Sequence, residues 1–261
     1  MAHTNLKHYL DKELNTKHFV ESHFSHGDVD FIDESTVGPL KQLHDIFSSG
    51  LVKGNTLLEM NVGGMIYPLF SASNIFKEIY VMDCTEASVK HFMQWLEKGH
   101  EATDWSFASK YVCQLEGNKD GWEEKEEQVR RAVKGVFKYD LFDTASNNLL
   151  VIPQMDCVVT VFLFNVISKT KEDFKKHLKN LTSWLKIDGH LVLFLTLNMT
   201  FYRVGDHKFH TLTVNEKCVR EVVTNAGFVI EKEEVFSTSV KSDLVDYKNM
   251  FFLVARKVKN A

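Results

Sequence analysis

Two periodicities alternate along most of the chain. Short apolar runs rich in β-branched residues are separated by longer stretches whose apolar positions recur every three or four residues. The short runs are TLLEM (56–60), EIYVM (78–82), a segment at 135–140, DCVVTVFLF (156–164) and HLVLFLTL (190–197), and each predicts a strand. The unbroken apolar character of 156–164 predicts a central parallel strand covered on both faces. Helices are predicted at 15–27, at 34–50 with Gly50 as its stop, at 65–73, and after Thr85, where Val89, Phe92, Met93 and Leu96 share a face. Further helices are predicted in DWSFASKYVCQLEG, in GWEEKEEQVRRAVKGVF and at 215–226. One more spans 169–189, with Phe174, Leu178, Leu181 and Leu185 inward and Gly189 as terminator. A hairpin turning at Gly205 and Asp206, a strand after Gly227 and a last strand at 250–258 complete the reading.

Strand–helix alternation demands an α/β fold with a mostly parallel sheet and right-handed crossovers. The strand–loop–strand ending makes at least one late strand antiparallel. With no repeat, low-complexity tract or linker, residues 1–261 are expected to form one domain, in which 1–50 is a helical cap.

Composition narrows the function. A net charge of −4, with both signs interspersed, lacks the basic footprint of a nucleic-acid binder. The apolar run at 191–197 is too short to span a bilayer. The first residues are polar and carry no signal-peptide core, so the protein is expected to be cytoplasmic. Cys84, Cys113, Cys157 and Cys218 lie far apart, which predicts free thiols and no metal site. His23 and His26, or His207 and His210, share i, i+3 spacing without a third ligand. The charged run at 123–134 reads as a solvated helix face held by i, i+4 pairs.

The chemistry concentrates between residues 57 and 88. A buried strand, a glycine turn at Gly63, a short helix and a second strand ending at Asp83 form a unit that collects nucleotide-like ligands at strand carboxyl ends. Asp83 follows Gly63 by about 20 residues, the separation at which an acid holds ribose hydroxyls. The segment 15–27 is either a packed helix using Phe19 and Phe24 or a lid over that site.

The segments VKGNTLLEM…GGMIYPLFSAS, FKEIYVMD, DWSFASKYVCQLEGNKDGWEEKEEQVRRAVK, LKNLTSWLKIDGHLV, TLNMTFYRVGDHKF and FFLVARK occur in family order over nearly the whole chain. They resemble the small-molecule amine N-methyltransferases: the nicotinamide, phenylethanolamine and indolethylamine (thioether) enzymes. The stretch LVLFLTLNMTFYRVG is most similar to the indolethylamine type. The resemblance implies the class I S-adenosylmethionine-dependent methyltransferase fold, a Rossmann-like seven-stranded sheet with helices on both faces and an antiparallel last strand. It also implies S-adenosyl-L-methionine as cofactor, S-adenosyl-L-homocysteine as product, and a monomer acting on a small amine, pyridine or thioether.

Carried over by position, the resemblance assigns Phe19 and Phe24 to covering the cofactor, and Glu59, Gly63 and Tyr67 to the turn and its flanks. Asp83 and Ser88 fall to the ribose, Asp140 and Leu141 to the adenine, and Val161 to the methionine part. Thr196, Tyr202 and Thr211 would line the acceptor pocket. Apart from the resemblance, burying a cationic amine would need a nearby carboxylate, and Asp243 and Asp246, on the loop before the last strand, are either that partner or exposed loop acids. Asn61 and Val62 replace small residues of the family's turn, and Asn61 is expected to bring its side chain towards the cofactor. Phe19 and Phe24 replace tyrosines. Leu195 stands where nicotinamide enzymes carry an aspartate. Methyl transfer to a neutral amine is an in-line displacement that needs alignment and exclusion of water, so no base motif is required. The alternatives are a diverged member that binds without catalysis and, on the bare fold, an NAD-dependent dehydrogenase, for which GxGxxG is missing at the turn.

Overall fold

A computed structural model describes residues 6–10, 14–140 and 152–260. Seven strands form one sheet in the order β3-β2-β1-β4-β5-β9-β8. They are β1 (Thr56–Met60), β2 (Glu78–Asp83), β3 (Val133–Lys138), β4 (Met155–Val161), β5 (Leu185–Leu197), β8 (Phe228–Ser237) and β9 (Asn249–Lys257). Pairing from β3 through β5 is parallel, whereas β9 runs antiparallel to both β5 and β8. A separate hairpin, β6 (Phe201–Val204) and β7 (His207–His210), turns at Gly205, whose φ is +56°. Order reverses between β1 and β4, so the crevice at their carboxyl ends is the topological switch point, where such sheets bind ligands.

Helices follow the apolar periodicity. The N-terminal part comprises α1 (Thr16–Val20), a π-helical turn at Glu21–Ser25, α2 (Val29–Ile32), a second π-helical turn at Asp33–Val37 and α3 (Gly38–Ser48). Asn15 caps α1 by accepting from the His18 N–H. Then come α4 (Pro68–Ala72), α5 (Glu86–Leu96), α6 (Ser106–Leu115), α7 (Trp122–Ala132), α8 (Leu163–Ile167), α9 (Lys171–Thr182) and α10 (Glu216–Asn225). Thr85 and Asn215 cap α5 and α10, and Thr170 with Asp173 forms a capping box on α9.

Four expectations are corrected. The run at 156–164 is not one strand: β4 stops at Val161 because Phe162 takes a left-handed conformation (φ 59°) and α8 follows. The helix at 169–189 ends with Thr182, and Leu185 already belongs to β5. The helix at 65–73 is shortened to Pro68–Ala72. The charged run is only partly solvated: Lys125 is buried and donates to Asn74 and Glu116, Glu126 is buried against Ser109, and Arg130 lies 4.0 Å over the Trp95 ring. Cys84, Cys113, Cys157 and Cys218 are free thiols. No helix among the described residues is long and apolar enough to cross a membrane.

Candidate active site

The carboxyl ends of β1 and β2 converge on a buried polar knot. Asp83 ends β2 and is only 2% exposed. Its carboxylate accepts from the Tyr9 hydroxyl (2.9 and 3.2 Å) and from the Thr85 N–H (3.1 Å). The Tyr9 oxygen in turn accepts from the Gly63 N–H at 2.8 Å and lies 3.0 Å from Ser88 Oγ. One phenol therefore ties the N-terminal segment to the glycine turn, the strand-end acid and helix α5. Tyr9 was not assigned from the sequence. It lies in a polar stretch with no periodicity, and its partner is 74 residues away.

Withdrawal from water pushes the Asp83 carboxyl up to about 7, and hydrogen bonds from the Thr85 N–H and the Tyr9 hydroxyl restrain that rise. Glu59, on β1, is equally buried. Desolvation holds its pKa well above the usual carboxylate range, and its Oε2 has no hydrogen-bond partner. Burial also raises the Tyr67 hydroxyl, which donates to the Ser35 carbonyl at 3.3 Å.

The turn after β1 has its own local logic. Left-handed conformation falls on Gly63 (φ +72°) and Gly64 (φ +74°), where glycine carries no steric cost. A Cβ on Gly63 would stand 2.9 Å from Val20 and 3.0 Å from Phe19, and one on Gly64 would meet the Ser88 carbonyl oxygen at 2.7 Å. The turn thus packs directly against α1 and α5. Asn61 is not among the positive-φ residues, and its side-chain amide is engaged within the turn. Its amide donates to the Met65 carbonyl (2.6 Å) and accepts from the Met65 N–H (2.9 Å), closing the turn on itself. Asn61 thus braces the loop from within.

Phe19 lies in α1 and Phe24 in the π-helical turn that follows it, and the two rings pack edge to face at 5.6 Å. Phe24 stacks at 6.2 Å on Phe162, the residue whose left-handed backbone ends β4. Such a conformation is strained for a bulky side chain and recurs at functional sites. Here it turns an aromatic ring into a cavity of about 50 Å³, which Phe19, Phe24, Thr196 and Tyr202 also line. Two of the three residues expected in an acceptor pocket are therefore present. Thr211 is buried but lies outside the cavity wall. Asp246 is likewise absent from the wall. It accepts from the Thr200 N–H (2.8 Å), the Thr200 hydroxyl and the Phe201 N–H, fixing the entry to β6, and Asp243 is exposed. In their place the cavity is walled by His23 and Asn165, which sequence reasoning did not assign to it. Val161 is buried at the end of β4, Asp140 is half-buried, and Leu141 lies outside the described residues.

The residues present fit a nucleoside cofactor. A buried carboxylate at a strand end faces a glycine turn whose N–H is directed at a ligand-like hydroxyl, that of Tyr9. A buried carboxyl oxygen of Glu59 stands unpartnered on the neighbouring strand. Asp83, Gly63 and Ser88 are thus shown to meet in one place, and Phe19, Phe24, Thr196 and Tyr202 in another.

Comparison with known proteins gives the chain's family and fold. The sequence profile of the NNMT/PNMT/TEMT family matches residues 3–258. Nicotinamide N-methyltransferase of Homo sapiens is 35% identical over 260 residues, covering 99% of this chain and 94% of that protein. Indolethylamine N-methyltransferase of Oryctolagus cuniculus is 36% identical over 220 residues, covering 84% of this chain and 83% of that protein. Among solved structures, a 1,6-didemethyltoxoflavin-N1-methyltransferase of Burkholderia thailandensis, bound to its substrate and S-adenosylhomocysteine, aligns with a TM-score of 0.54. It is 13% identical and covers 94% of this chain and 87% of that one. At that identity the likeness speaks for the fold alone.

Proposed function

Because the chain belongs to the NNMT/PNMT/TEMT family, we propose that it is an S-adenosylmethionine-dependent methyltransferase acting on the nitrogen or sulfur of a small molecule. The observation that carries this reading is the Asp83 carboxylate. It is buried at the switch point, accepts from the Tyr9 hydroxyl, a donor of the kind a ribose presents, as well as from the Thr85 N–H, and is accompanied by the glycine turn and an aromatic cavity. When bound, the cofactor supplies an electrophilic methyl group on a sulfonium.

The chain's own residues would do the rest. Asp83 accepts ribose hydroxyls, Ser88 and the Gly63 N–H supply polar contacts beside it, and Asp140 with Leu141 frames the adenine. Glu59, Tyr67 and Val161 flank the methionine part. Phe19 and Phe24 close over the site and keep water from it, a contribution proper to displacement reactions whose nucleophile must be desolvated. Thr196, Tyr202 and the Phe162 ring hold the acceptor in line. The strand-end acids and the ordered turn favour an active enzyme over a catalytically silent relative. The same reading makes residues 1–261 one methyltransferase unit, a cytoplasmic monomer whose partners are small molecules. A net charge of −4 with both signs interspersed supports small molecules over nucleic acid as partners.

Calorimetric titration with S-adenosylhomocysteine, followed by a labelled-methyl assay over arylamines, pyridines and thioethers, tests the proposal. Binding in the micromolar range with methyl transfer to any acceptor is the expected result. A folded protein that neither binds the product nor transfers methyl to any of them would overturn it.

A further inference from the structure

The acid that ends β2 is already fully engaged. A carboxylate offers about four lone-pair positions. Backbone N–H groups of Thr85, Cys84 and Gly64 favour its ionised form, and the Tyr9 hydroxyl reaches both oxygens, at 2.9 and 3.2 Å. The N–H groups belong to the end of β2 and to the glycine turn, where the backbone fixes them. Tyr9 is the donor in this set that comes from a distant side chain. It is fully buried and Asp83 nearly so, and a ribose therefore reaches the acid only if the phenol gives way.

The phenol copies a ribose hydroxyl in its bonding. Its one hydrogen goes to Asp83, and its oxygen accepts from the Gly63 N–H at 2.8 Å and from the Ser88 hydroxyl at 3.0 Å. The direction of the last bond is set, because Tyr9 has no second hydrogen and Ser88 Oγ itself accepts from the Thr85 hydroxyl at 2.7 Å. One hydrogen given and two received is the full capacity of a hydroxyl. Tyr9 and a ribose hydroxyl cannot hold these partners together.

Tyr9 also ends a short strap. Two residues earlier, the Lys7 N–H donates to the Lys208 carbonyl at 3.0 Å, and the Lys7 carbonyl accepts from the His210 N–H at 2.7 Å. This parallel bridge lays the strap along β7 opposite Phe209. The Phe209 ring stacks at 5.2 Å on Tyr202, which lines the aromatic cavity. Residues 7–9 therefore join the ribose side of the site to the hairpin on its other side. A phenol leaving Asp83 pulls on the bridge to β7.

A buried tyrosine beside such an acid can take one of two roles. One that helps to bind the ribose leaves a lone pair of the carboxylate open for it, and its hydroxyl adds to affinity. One that fills the ribose position leaves none open, and the ligand must first expel it. Apparent affinity is then reduced by the fraction of molecules in which the position is free. The saturated acid, the committed Gly63 N–H and the burial of both side chains match the second role.

Resting on the methyltransferase reading above, we propose that residues 7–9 are an autoinhibitory strap. In the empty protein the Tyr9 hydroxyl stands in for a ribose hydroxyl on Asp83, Gly63 and Ser88, and a nucleoside ligand binds by expelling it. Part of the ligand's binding free energy goes into that expulsion. Release of the phenol loosens the Lys7 bridge, so occupation of the ribose position is felt at β7 and, through Phe209, at Tyr202.

The test titrates S-adenosylhomocysteine into the wild-type protein and Tyr9→Phe at about pH 9, where Asp83 is ionised in either. Phenylalanine keeps the ring and frees the carboxylate, the Gly63 N–H and the Ser88 hydroxyl for the ligand. Tyr9→Phe is expected to bind about tenfold more tightly, the effect of one hydrogen bond to a charged group. Amide hydrogen exchange of the wild-type protein gives a second reading that needs no variant. Saturating S-adenosylhomocysteine is expected to speed exchange at the Lys7 and His210 N–H groups as the strap leaves β7. Unchanged or weaker binding by Tyr9→Phe makes the phenol a partner of the ribose and overturns the inference. Slower or unchanged exchange at those two amides does the same, and it decides alone if the variant does not fold. Either result leaves the methyltransferase reading standing, because the wild-type protein still binds the product. Folded protein that binds no S-adenosylhomocysteine, with or without the Tyr9 hydroxyl, defeats that reading and the strap together.

Discussion

Lowering the pH from about 8 to about 6 is expected to weaken S-adenosylhomocysteine binding roughly tenfold, through Asp83. Burial is what raises this carboxyl to about 7, and the Thr85 N–H and Tyr9 hydroxyl only moderate it. A ribose diol donates into both carboxylate oxygens only when the group is ionised. With a pKa near 7, the ionised share is about one-eleventh at pH 6 and about ten-elevenths at pH 8. That ratio of about ten corresponds to about 1.4 kcal/mol.

The ligand-free protein should respond in the opposite direction. In the unfolded chain Asp83 titrates near 3.9, so between about pH 4 and about pH 7 only the folded state holds this proton. Stability from this group is complete below that window and is lost as pH rises through it, by about 4 kcal/mol for a shift of about three units. Mild acidification therefore favours the fold and disfavours the ligand. Isothermal titration at three pH values, in buffers of different ionisation enthalpy, reads both the affinity and the protons released. About half a proton should leave on binding near pH 7, and Tyr9→Phe should move the midpoint upward because it removes a donor to the carboxylate. Affinity that is flat with pH, or binding without proton release, would refute the reasoning.

Three further outcomes are expected. Asn61→Gly removes both bonds to Met65 and should lower unfolding stability by about 1–3 kcal/mol in urea titrations; unchanged stability would mean the turn needs no internal brace. Gly63→Ala forces a Cβ to within 2.9 Å of Val20 at φ +72°, so α1 must shift. Product affinity should fall measurably, and an identical affinity would separate α1 from the cofactor site. Asp156, whose carboxyl receives Lys186 and the Thr56 and Asn55 N–H groups, is held at about 2 although burial alone would raise it. Asp156→Asn should cost about 2 kcal/mol above pH 4, with the deficit shrinking as pH falls towards 2; a pH-independent deficit would argue against the ionised form as the source.

The strands were legible because each is a short apolar run bounded by a turn signal, and caps such as Asn15, Thr85 and Asn215 mark helix starts in the sequence itself. Asp83 was legible because its distance from Gly63 is fixed by one strand–helix–strand unit. What escaped depends on long-range fit. Phe162 sits inside an apolar run that local pattern extends to residue 164, and only the docking of α8 shows where β4 must stop. Tyr9 has no local signature, and His23 reads by spacing as half of an idle pair with His26. Its place in the cavity wall appears only when α1 and its π-helical extension are laid over the cavity. Lys125 and Glu126 looked solvated because charge pattern does not reveal that α7 packs against Asn74, Glu116 and Ser109.

The position of β9 has a consequence for how the protein is made. The strand that pairs with both β5 and β8 is the last of the seven to leave the ribosome. Until residues 249–257 emerge, β5 and β8 each present a row of unpaired peptide groups, the arrangement most open to pairing with a neighbouring chain. Tyr247 and Met250, which wall the aromatic cavity, arrive at the same moment. Nascent chains stalled before this point would thus have β1, β2 and Asp83 but lack two residues of the aromatic cavity wall, and they would be the species that chaperones most need to shield.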